Sequence, residues 1–173
     1  MIDDIKLTPG YKLRKGSGID RALLLKFMHR TYKELYPDQD FSHLTQTVQQ
    51  YFSAATPLWW VEETAKVQPT QHEGLPHLSH LTPVAGLWLG NAVDQIGGDR
   101  MTHIFLLYVM PQHRRLGIAS ALVRQAENWT KQRGDRKISL QVFVQNQPAL
   151  DLYKKLGYQP QSISMIKTLG SGE

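Results

Sequence analysis

Residues 107–119 constrain the fold of this chain more than any other segment. An apolar strand-like run ends at Val109, Pro111 follows it, and a helical apolar pattern begins near Gly117. A helix N-terminus exposes unpaired N–H groups and about half a positive charge, so it favours a bound phosphate group. Small residues at Gly117 and Ala119 let an anion approach the backbone. The segment therefore predicts an α/β fold with an anion-binding turn.

Two other phosphate-binding motifs are absent from this turn. The P-loop requires Gly-x-x-x-x-Gly-Lys-Ser/Thr, and the dinucleotide fingerprint requires Gly-x-Gly-x-x-Gly, whereas residues 107–119 contain one glycine. An ordinary strand-to-helix turn with a glycine near its start is the structural alternative.

Apolar periodicity predicts a mixed α/β sheet along the rest of the chain. Asp20 is a candidate N-cap for the first helix, Asn146 is one for the last, and Gly134 and Gly157 are typical of helix ends. The predicted helices are 20–35, 41–55, 117–133 and 147–156, and the predicted strands are 11–15, 58–61, 84–92, 103–109, 138–144 and 162–168.

The stretch 66–83 lacks periodicity and is rich in proline, so it predicts a loop insertion within one domain spanning 1–173. His72, His77 and His80 lie there, but no acidic or cysteine partner has convincing ligand spacing, so no metal site is predicted. Residues 170–173 read as a flexible tail.

Composition excludes several classes of protein. The 173 residues carry a formal net charge of +5 and contain no cysteine, which excludes disulfides and thiolate catalysis and suits a cytoplasmic location. The first residues, 1–6, do not resemble a secretory signal, and the longest apolar run, 104–110, is far shorter than the ~20 residues of a membrane helix. The basic residues form no nucleic-acid-binding motif, so the sequence does not predict a nucleic-acid ligand.

Two ordered motifs resemble the GNAT family of N-acetyltransferases. The run 114–119, Arg-Arg-Leu-Gly-Ile-Ala, is similar to the family's Arg/Gln-x-x-Gly-x-Gly/Ala signature, and Val109-x-Pro111 precedes it. The run 146–158, Asn-Gln-Pro-Ala-Leu-Asp-Leu-Tyr-Lys-Lys-Leu-Gly-Tyr, is similar to the second signature, Asn-x-x-Ala-x-x-Leu-Tyr-x-x-x-Gly-Phe/Tyr. The resemblance implies a GNAT-like fold, in which helices flank a mixed, mostly antiparallel central sheet.

The same resemblance implies that the cosubstrate is acetyl-coenzyme A. Backbone amides of 116–120 would hold its pyrophosphate, and main-chain groups of Leu107 and Val109 would hold the pantetheine arm. The full set of implied cofactor-binding residues is Leu107, Val109, Arg114, Arg115, Leu116, Gly117, Ile118, Ala119, Ser120 and Asn146. The first half of the chain would supply the acceptor pocket, with core packing as the alternative for its candidate lining residues, Tyr32, Tyr36, Trp59, Trp60 and Trp88.

Two residues are candidates for catalysis. Tyr153 matches the signature tyrosine, and a phenol with a pKa near 10 can protonate a departing thiolate. The acceptor amine must lose a proton, which costs about 4.6 kcal/mol at pH 7 for a pKa near 10.4. His103 stands where several family members have a glutamate base, and histidine titrates in the useful range. A solvent-exposed histidine at the strand edge is the alternative interpretation.

The resemblance therefore implies an N-acetyltransferase in which a primary amine directly attacks acetyl-coenzyme A in a ternary complex. A mechanism through an acyl-cysteine intermediate is excluded because the chain contains no cysteine. The alternative function is a catalytically idle sensor that binds acyl-coenzyme A. The sequence does not identify the acceptor, which is a protein or a small molecule. It also leaves the acyl-chain preference and the oligomeric state undetermined.

Overall fold

The computed structural model describes residues 5–64 and 82–170. These residues fall into two compact units, Met1–Gln141 and Val142–Glu173. The predicted loop insertion with its three histidines, apart from 82–83, lies outside the described residues, as do 171–173. Within the described ranges no helix is long and apolar enough to cross a lipid bilayer.

The elements alternate along the chain much as the periodicity predicts. The strands are β1 (Tyr11–Lys15), β2 (Leu58–Glu63), β3 (Pro83–Val93), β4 (Arg100–Val109) and β5 (Ile138–Leu140). The helices are α1 (Arg21–Leu35), α2 (Leu44–Tyr51), α3 (Ile118–Gln132) and α4 (Gln147–Lys155), and short 3-10 turns precede α1 and α3.

The five strands form one open sheet in the order β1-β2-β3-β4-β5. The first three pairings are antiparallel, and β5 runs parallel to β4. The prediction of a mixed, mostly antiparallel sheet is therefore confirmed. The single parallel pair follows from α3, because a parallel neighbour needs a crossover connection and α3 supplies it.

A β-bulge in β4 changes the direction in which its residues face. Leu106 pairs with Trp88 and Ile104 pairs with Leu89, so Phe105 is an extra residue without a partner in β3. Because side chains alternate along a strand, one extra residue exchanges the faces beyond it. Accordingly, Ile104 packs on one face of the sheet and Leu106 on the other.

Each face of the sheet is covered by helices and has its own core. The first core lies under α1 and α2 and includes Phe27, Trp60 and Trp88, all without exposed surface. The second lies under α3 and includes Leu87 and Leu122, which are equally buried. This two-sided burial explains why β2 and β3 read as continuous apolar runs rather than alternating ones.

A buried carboxylate joins β4, β5 and the end of α3. Asp135 accepts hydrogen bonds from Arg100 Nε at 2.8 Å and from Thr102 Oγ1 at 3.0 Å, and it also pairs with Arg133. Burial alone would raise the pKa of Asp135, but the hydrogen bonds from Arg133, Arg100 and Thr102 outweigh it and lower that pKa. The network fixes the parallel pairing at the beginning of β4.

Four sequence predictions need correction. The second helix is shorter than 41–55, the strand predicted at 138–144 ends at Leu140, and the predicted strand 162–168 does not form. A strand requires a hydrogen-bonded neighbour, which a local pattern of alternating residues does not supply. Asp20 does not cap α1 either, because its carboxylate pairs with Arg14 and accepts from the backbone N–H of Ser17.

The second unit contains α4 and its two predicted ends. Asn146 caps the helix, since its side-chain oxygen accepts from Ala149 N–H at 3.3 Å. Gly157 has φ +90° beyond the last turn, and the Tyr158 N–H donates to the Tyr153 carbonyl at 2.9 Å. This left-handed glycine with a bond spanning the last turn is a Schellman ending.

Candidate active site

On the side of β5, no strand among the described residues pairs with β4 beyond Ile104, and we call this stretch the open edge. Pairing with β5 covers only Thr102, His103 and Ile104. Thr102 N–H donates to the Lys137 carbonyl, just before β5, whereas Met110 N–H donates to the Val84 carbonyl within β3. In a regular strand the backbone N–H groups of Thr102 and Met110 would point to the same side, because the two residues are an even number of positions apart. The bulge between them accounts for the reversal in direction.

The reversal turns the backbone groups of the two predicted pantetheine-binding residues away from β3. Since Met110 faces β3, Leu107 and Val109 direct their N–H and C=O groups to the open edge. An extended amide-containing chain laid along this edge would pair with it as a short added strand does. The Val109 carbonyl already accepts from Arg114 Nε at 2.8 Å, so its N–H is the group left for a ligand.

The turn after β4 presents the N-terminus of α3 to solvent. Arg115 has φ +64° and Gly117 has φ +78°, which turns the chain sharply before Ile118. Residues 114–117 are exposed, and no side chain of the described residues caps α3. The first N–H groups of this 15-residue helix therefore remain for an anion, as the sequence predicts for the amides of 116–120, including Ala119 and Ser120.

Arg114 is engaged within the protein. Its guanidinium pairs with both carboxylate oxygens of Glu34 in α1, at 2.7 and 2.8 Å, and Glu34 also accepts from the Tyr108 hydroxyl. Burial and the Glu34 contact raise the pKa of Tyr108 to about 12. Arg114 thus holds the turn against α1 and the end of β4, a structural contribution that its implied role in cofactor binding did not predict.

We expect Gly117→Val to weaken acetyl-coenzyme A binding at least tenfold, because a branched side chain blocks the approach to the amides and strains φ +78°. Titration calorimetry measures this affinity. Gly134→Val is the matched control, since Gly134 has φ +81° at the other end of α3 and nothing lies within 4 Å of an added Cβ at either position. Equal affinities in the two variants would contradict the assignment of the turn.

Arg114→Ala is expected to weaken cofactor binding about fivefold at low salt and less at high salt, because part of the effect is screened attraction to phosphate. The ion pair with Glu34 limits this part. Arg114→Lys keeps the charge but loses the fixed hydrogen bond to the Val109 carbonyl. Its affinity for acetyl-coenzyme A should therefore lie between those of the wild type and Arg114→Ala. Calorimetric titrations at several salt concentrations separate the contribution of the charge from that of the bond to the Val109 carbonyl. Wild-type affinity in Arg114→Ala would rule out both contributions.

His103 lies inside the sheet, between β3 and β5. It pairs with Gly90 on one side and Ser139 on the other, and its ring is half-buried, so its interpretation as a solvent-exposed edge residue is wrong. Nδ1 lies 2.9 Å from the Ser139 hydroxyl oxygen. Burial lowers the pKa of His103 below its ordinary value, which leaves the imidazole neutral at pH 7.

An aromatic stack borders His103 on the α2 side of the sheet. The His103 ring meets Phe105 edge-on at 4.9 Å, and Phe105 is stacked between Trp88 at 4.7 Å and Tyr51 at 5.2 Å. Gly90 makes room for the Phe105 ring, since a Cβ there would overlap it. Phe105 and Tyr51 are site candidates that the sequence did not identify, because the bulge that positions Phe105 is visible only in the pairing.

Of the five aromatic residues predicted to line an acceptor pocket, four belong to or pack against one core, and Trp59 lies on the other face of the sheet. Trp60 and Trp88 are fully buried in the core under α1 and α2, with Tyr32 and Tyr36 half-buried against it. Trp59 is on the opposite face, in the core under α3. The three tryptophans are therefore core residues.

Tyr153 and Asn146 belong to the second unit. Tyr153 is half-buried on α4, and its ring lies 5.5 Å from that of Tyr158. Burial raises the pKa of Tyr153, so its hydroxyl keeps its proton at neutral pH. Asn146 uses its side-chain oxygen to cap α4, which is a structural role. Within 5–64 and 82–170 no cluster of three potential metal ligands occurs.

Comparison with known proteins places this geometry among the acetyltransferases. The model of the Acetyltransferase (GNAT) family matches residues 25–158. The N-alpha-acetyltransferase of Sulfurisphaera tokodaii is 26% identical over 151 residues, which cover 86% of this chain and 80% of that protein. A putative [ribosomal protein bS18]-alanine N-acetyltransferase of Bacillus subtilis is 32% identical over 94 residues, covering 54% of this chain and 57% of that protein.

Solved structures share the fold. A predicted acetyltransferase from Clostridium acetobutylicum, determined with acetyl-coenzyme A, superposes with a TM-score of 0.68 at 20% identity, over 91% of this chain and 96% of that one. An aminoglycoside 6'-N-acetyltransferase from Acinetobacter baumannii gives 0.62 at 20% identity, over 93% and 100%. The chain spans between 32% and 57% of the length of the first curated relatives it matches. The family match over most of the chain shows that this protein belongs to the GNAT family of acetyltransferases.

Proposed function

We propose that this protein transfers an acetyl group from acetyl-coenzyme A to a primary amine, by direct attack in a ternary complex. The observation that carries the proposal is the open edge of β4 beside the exposed N-terminus of α3. The exposed turn suits a pyrophosphate, and the free N–H groups of the edge suit the amides of a pantetheine arm. A related fold determined with acetyl-coenzyme A supports this choice of cosubstrate.

The proposed chemistry requires two proton movements. The amine must be uncharged when it attacks the thioester carbonyl, and His103, held neutral by its burial, would accept the amine's proton. The departing sulfur would otherwise leave as a thiolate with a conjugate-acid pKa of about 8.5. Tyr153, whose hydroxyl is protonated at neutral pH, would donate a proton or a hydrogen bond to it. The carbon–sulfur bond breaks as the amide bond forms.

The acceptor is proposed only as a class. One relative is named for acetylating an alanine of a ribosomal protein, and structural neighbours are named for aminoglycosides, so all of these are amines. The absence of cysteine supports a cytoplasmic location as part of the proposal. A sensor that binds acyl-coenzyme A without turnover is the second candidate, because the cofactor turn alone would serve it.

Thiol release from acetyl-coenzyme A across a panel of amines tests the proposal. The panel contains peptides with an N-terminal alanine, lysine peptides and aminoglycosides, and mass spectrometry of the products locates the acetyl group. We expect turnover with at least one amine and a lower rate with Gly117→Val at the same subsaturating cofactor concentration. Binding of acetyl-coenzyme A without turnover would favour the sensor, and failure to bind it would overturn both functions.

A further inference from the structure

Ser139 in β5 contacts two groups of β4 that bear on the proposed base. Its hydroxyl oxygen lies 2.9 Å from His103 Nδ1 and 3.4 Å from the Thr102 carbonyl oxygen. The parallel register sets Ser139 opposite His103, so the contact is built into the strand pairing. The hydroxyl has a single proton, which it can give either to the carbonyl or to the imidazole.

We infer that Ser139 is a positioning residue that holds His103 in the tautomer protonated at Nδ1, so that Nε2 keeps the lone pair that accepts the amine's proton. The inference rests on the proposed function. In this arrangement the serine donates to the Thr102 carbonyl and accepts from Nδ1–H, so that both observed contacts are hydrogen bonds.

The opposite arrangement satisfies fewer groups. If the hydroxyl donated to Nδ1, the Thr102 contact would be lost and Nε2 would carry the proton. Within the described ranges Nε2 has no hydrogen-bond partner, and the half-buried ring faces the edge of Phe105. With the proton on Nδ1, Nε2 presents a lone pair to an incoming amine, which is the state that a base requires.

No charged side chain in the described part of the chain contributes to the shift in the pKa of His103. β3 contributes Gly90 opposite it, β5 contributes Ser139, and the nearest titratable group of α2 is Tyr51, separated from it by Phe105. Burial is the whole cause of the lowered pKa of His103. The choice between the two nitrogens therefore falls to Ser139, the one side chain that hydrogen-bonds the ring within the described ranges.

Proton transfer is balanced in this scheme. Nε2 takes the proton that the amine releases, which gives an imidazolium whose Nδ1–H still donates to Ser139. Because this hydrogen bond is stronger to a cation, Ser139 also supports the charged form. Loss of the hydroxyl should therefore lower the pKa of His103 further. It should also allow the neutral ring to carry its proton on Nε2 as well as on Nδ1.

Ring-nitrogen NMR tests the tautomer without any substrate. Long-range ¹⁵N–¹H spectra of the full chain are recorded above the pKa of His103, and His103→Gln identifies its signals. We expect an unprotonated Nε2 in the wild type and in Ser139→Thr, which keeps the hydroxyl, and a protonated or mixed Nε2 in Ser139→Ala. A protonated Nε2 in the wild type, or a Ser139→Ala spectrum equal to the wild-type one, would overturn the inference.

Kinetics with an active amine supply the second measurement. Ser139→Ala should lower kcat/KM about fivefold at neutral pH and move its acidic inflection to lower pH, while Ser139→Thr restores both. A changed tautomer with unchanged kinetics would overturn the positioning role. The expected wild-type tautomer in a protein that acetylates no amine would support the serine–histidine contact and overturn the proposed function alone.

Discussion

Tyr153→Phe is expected to lower kcat on the order of 10²-fold or more, with little change in acetyl-coenzyme A affinity. The substitution removes only the hydroxyl and keeps the ring that packs against Tyr158. Proton donation to the sulfur is needed when the carbon–sulfur bond breaks and not when the cofactor binds. The effect should therefore fall on kcat rather than on the dissociation constant.

Burial makes this prediction largely independent of pH. The raised pKa of Tyr153 keeps its hydroxyl protonated throughout the range in which the protein can be assayed. The defect of Tyr153→Phe should accordingly be similar from pH 6 to pH 9. A tyrosine acting as a base would show the opposite behaviour, because it would gain activity as the pH approached its pKa.

Tyr158→Phe is the matched control for this measurement. It removes a hydroxyl from the other ring of the same pair, and the family signature accepts phenylalanine at that position. Single-turnover kinetics establish whether chemistry limits kcat, and calorimetry compares the affinities. If Tyr153→Phe kept the wild-type kcat with chemistry rate-limiting, Tyr153 would be a packing residue only.

Local chemistry explains which parts of the fold were predictable. The turn before α3 has Gly117 where φ is positive, and α4 has Asn146 and Gly157 at its two ends. Each of these positions is restricted by backbone conformation or capping within a few residues, so the sequence displays the requirement directly. The resemblance to the family rests on the same segments and was confirmed for the same reason.

The features that the sequence could not predict depend on how the strands pair. The bulge at Phe105 is a property of the register between β3 and β4, and the apolar run of β4 reads identically with or without it. The stacking of Tyr51 on Phe105 depends on this register, and the contact of His103 with Ser139 depends on the parallel register between β4 and β5. Separations of 36 to 54 residues between the partners leave no local signal.

His103→Gln is expected to lower kcat/KM on the order of 10²-fold at neutral pH and to abolish the acidic inflection of its pH profile. In the wild type, activity should rise with pH as His103 loses its proton. Because burial lowers its pKa, this inflection should lie below the ordinary value of 6.5. The histidine is then already in its basic form at pH 7.

The defect of His103→Gln should shrink towards pH 9. An amine with a pKa near 10.4 has about a hundred times more free base at pH 9 than at pH 7, so an enzyme without a base loses less there. His43→Gln is the control, since His43 is an exposed histidine at the start of α2 and should leave the inflection in place. A defect of equal size at every pH would indicate lost positioning of the strand, and wild-type rates throughout would show that another group accepts the proton.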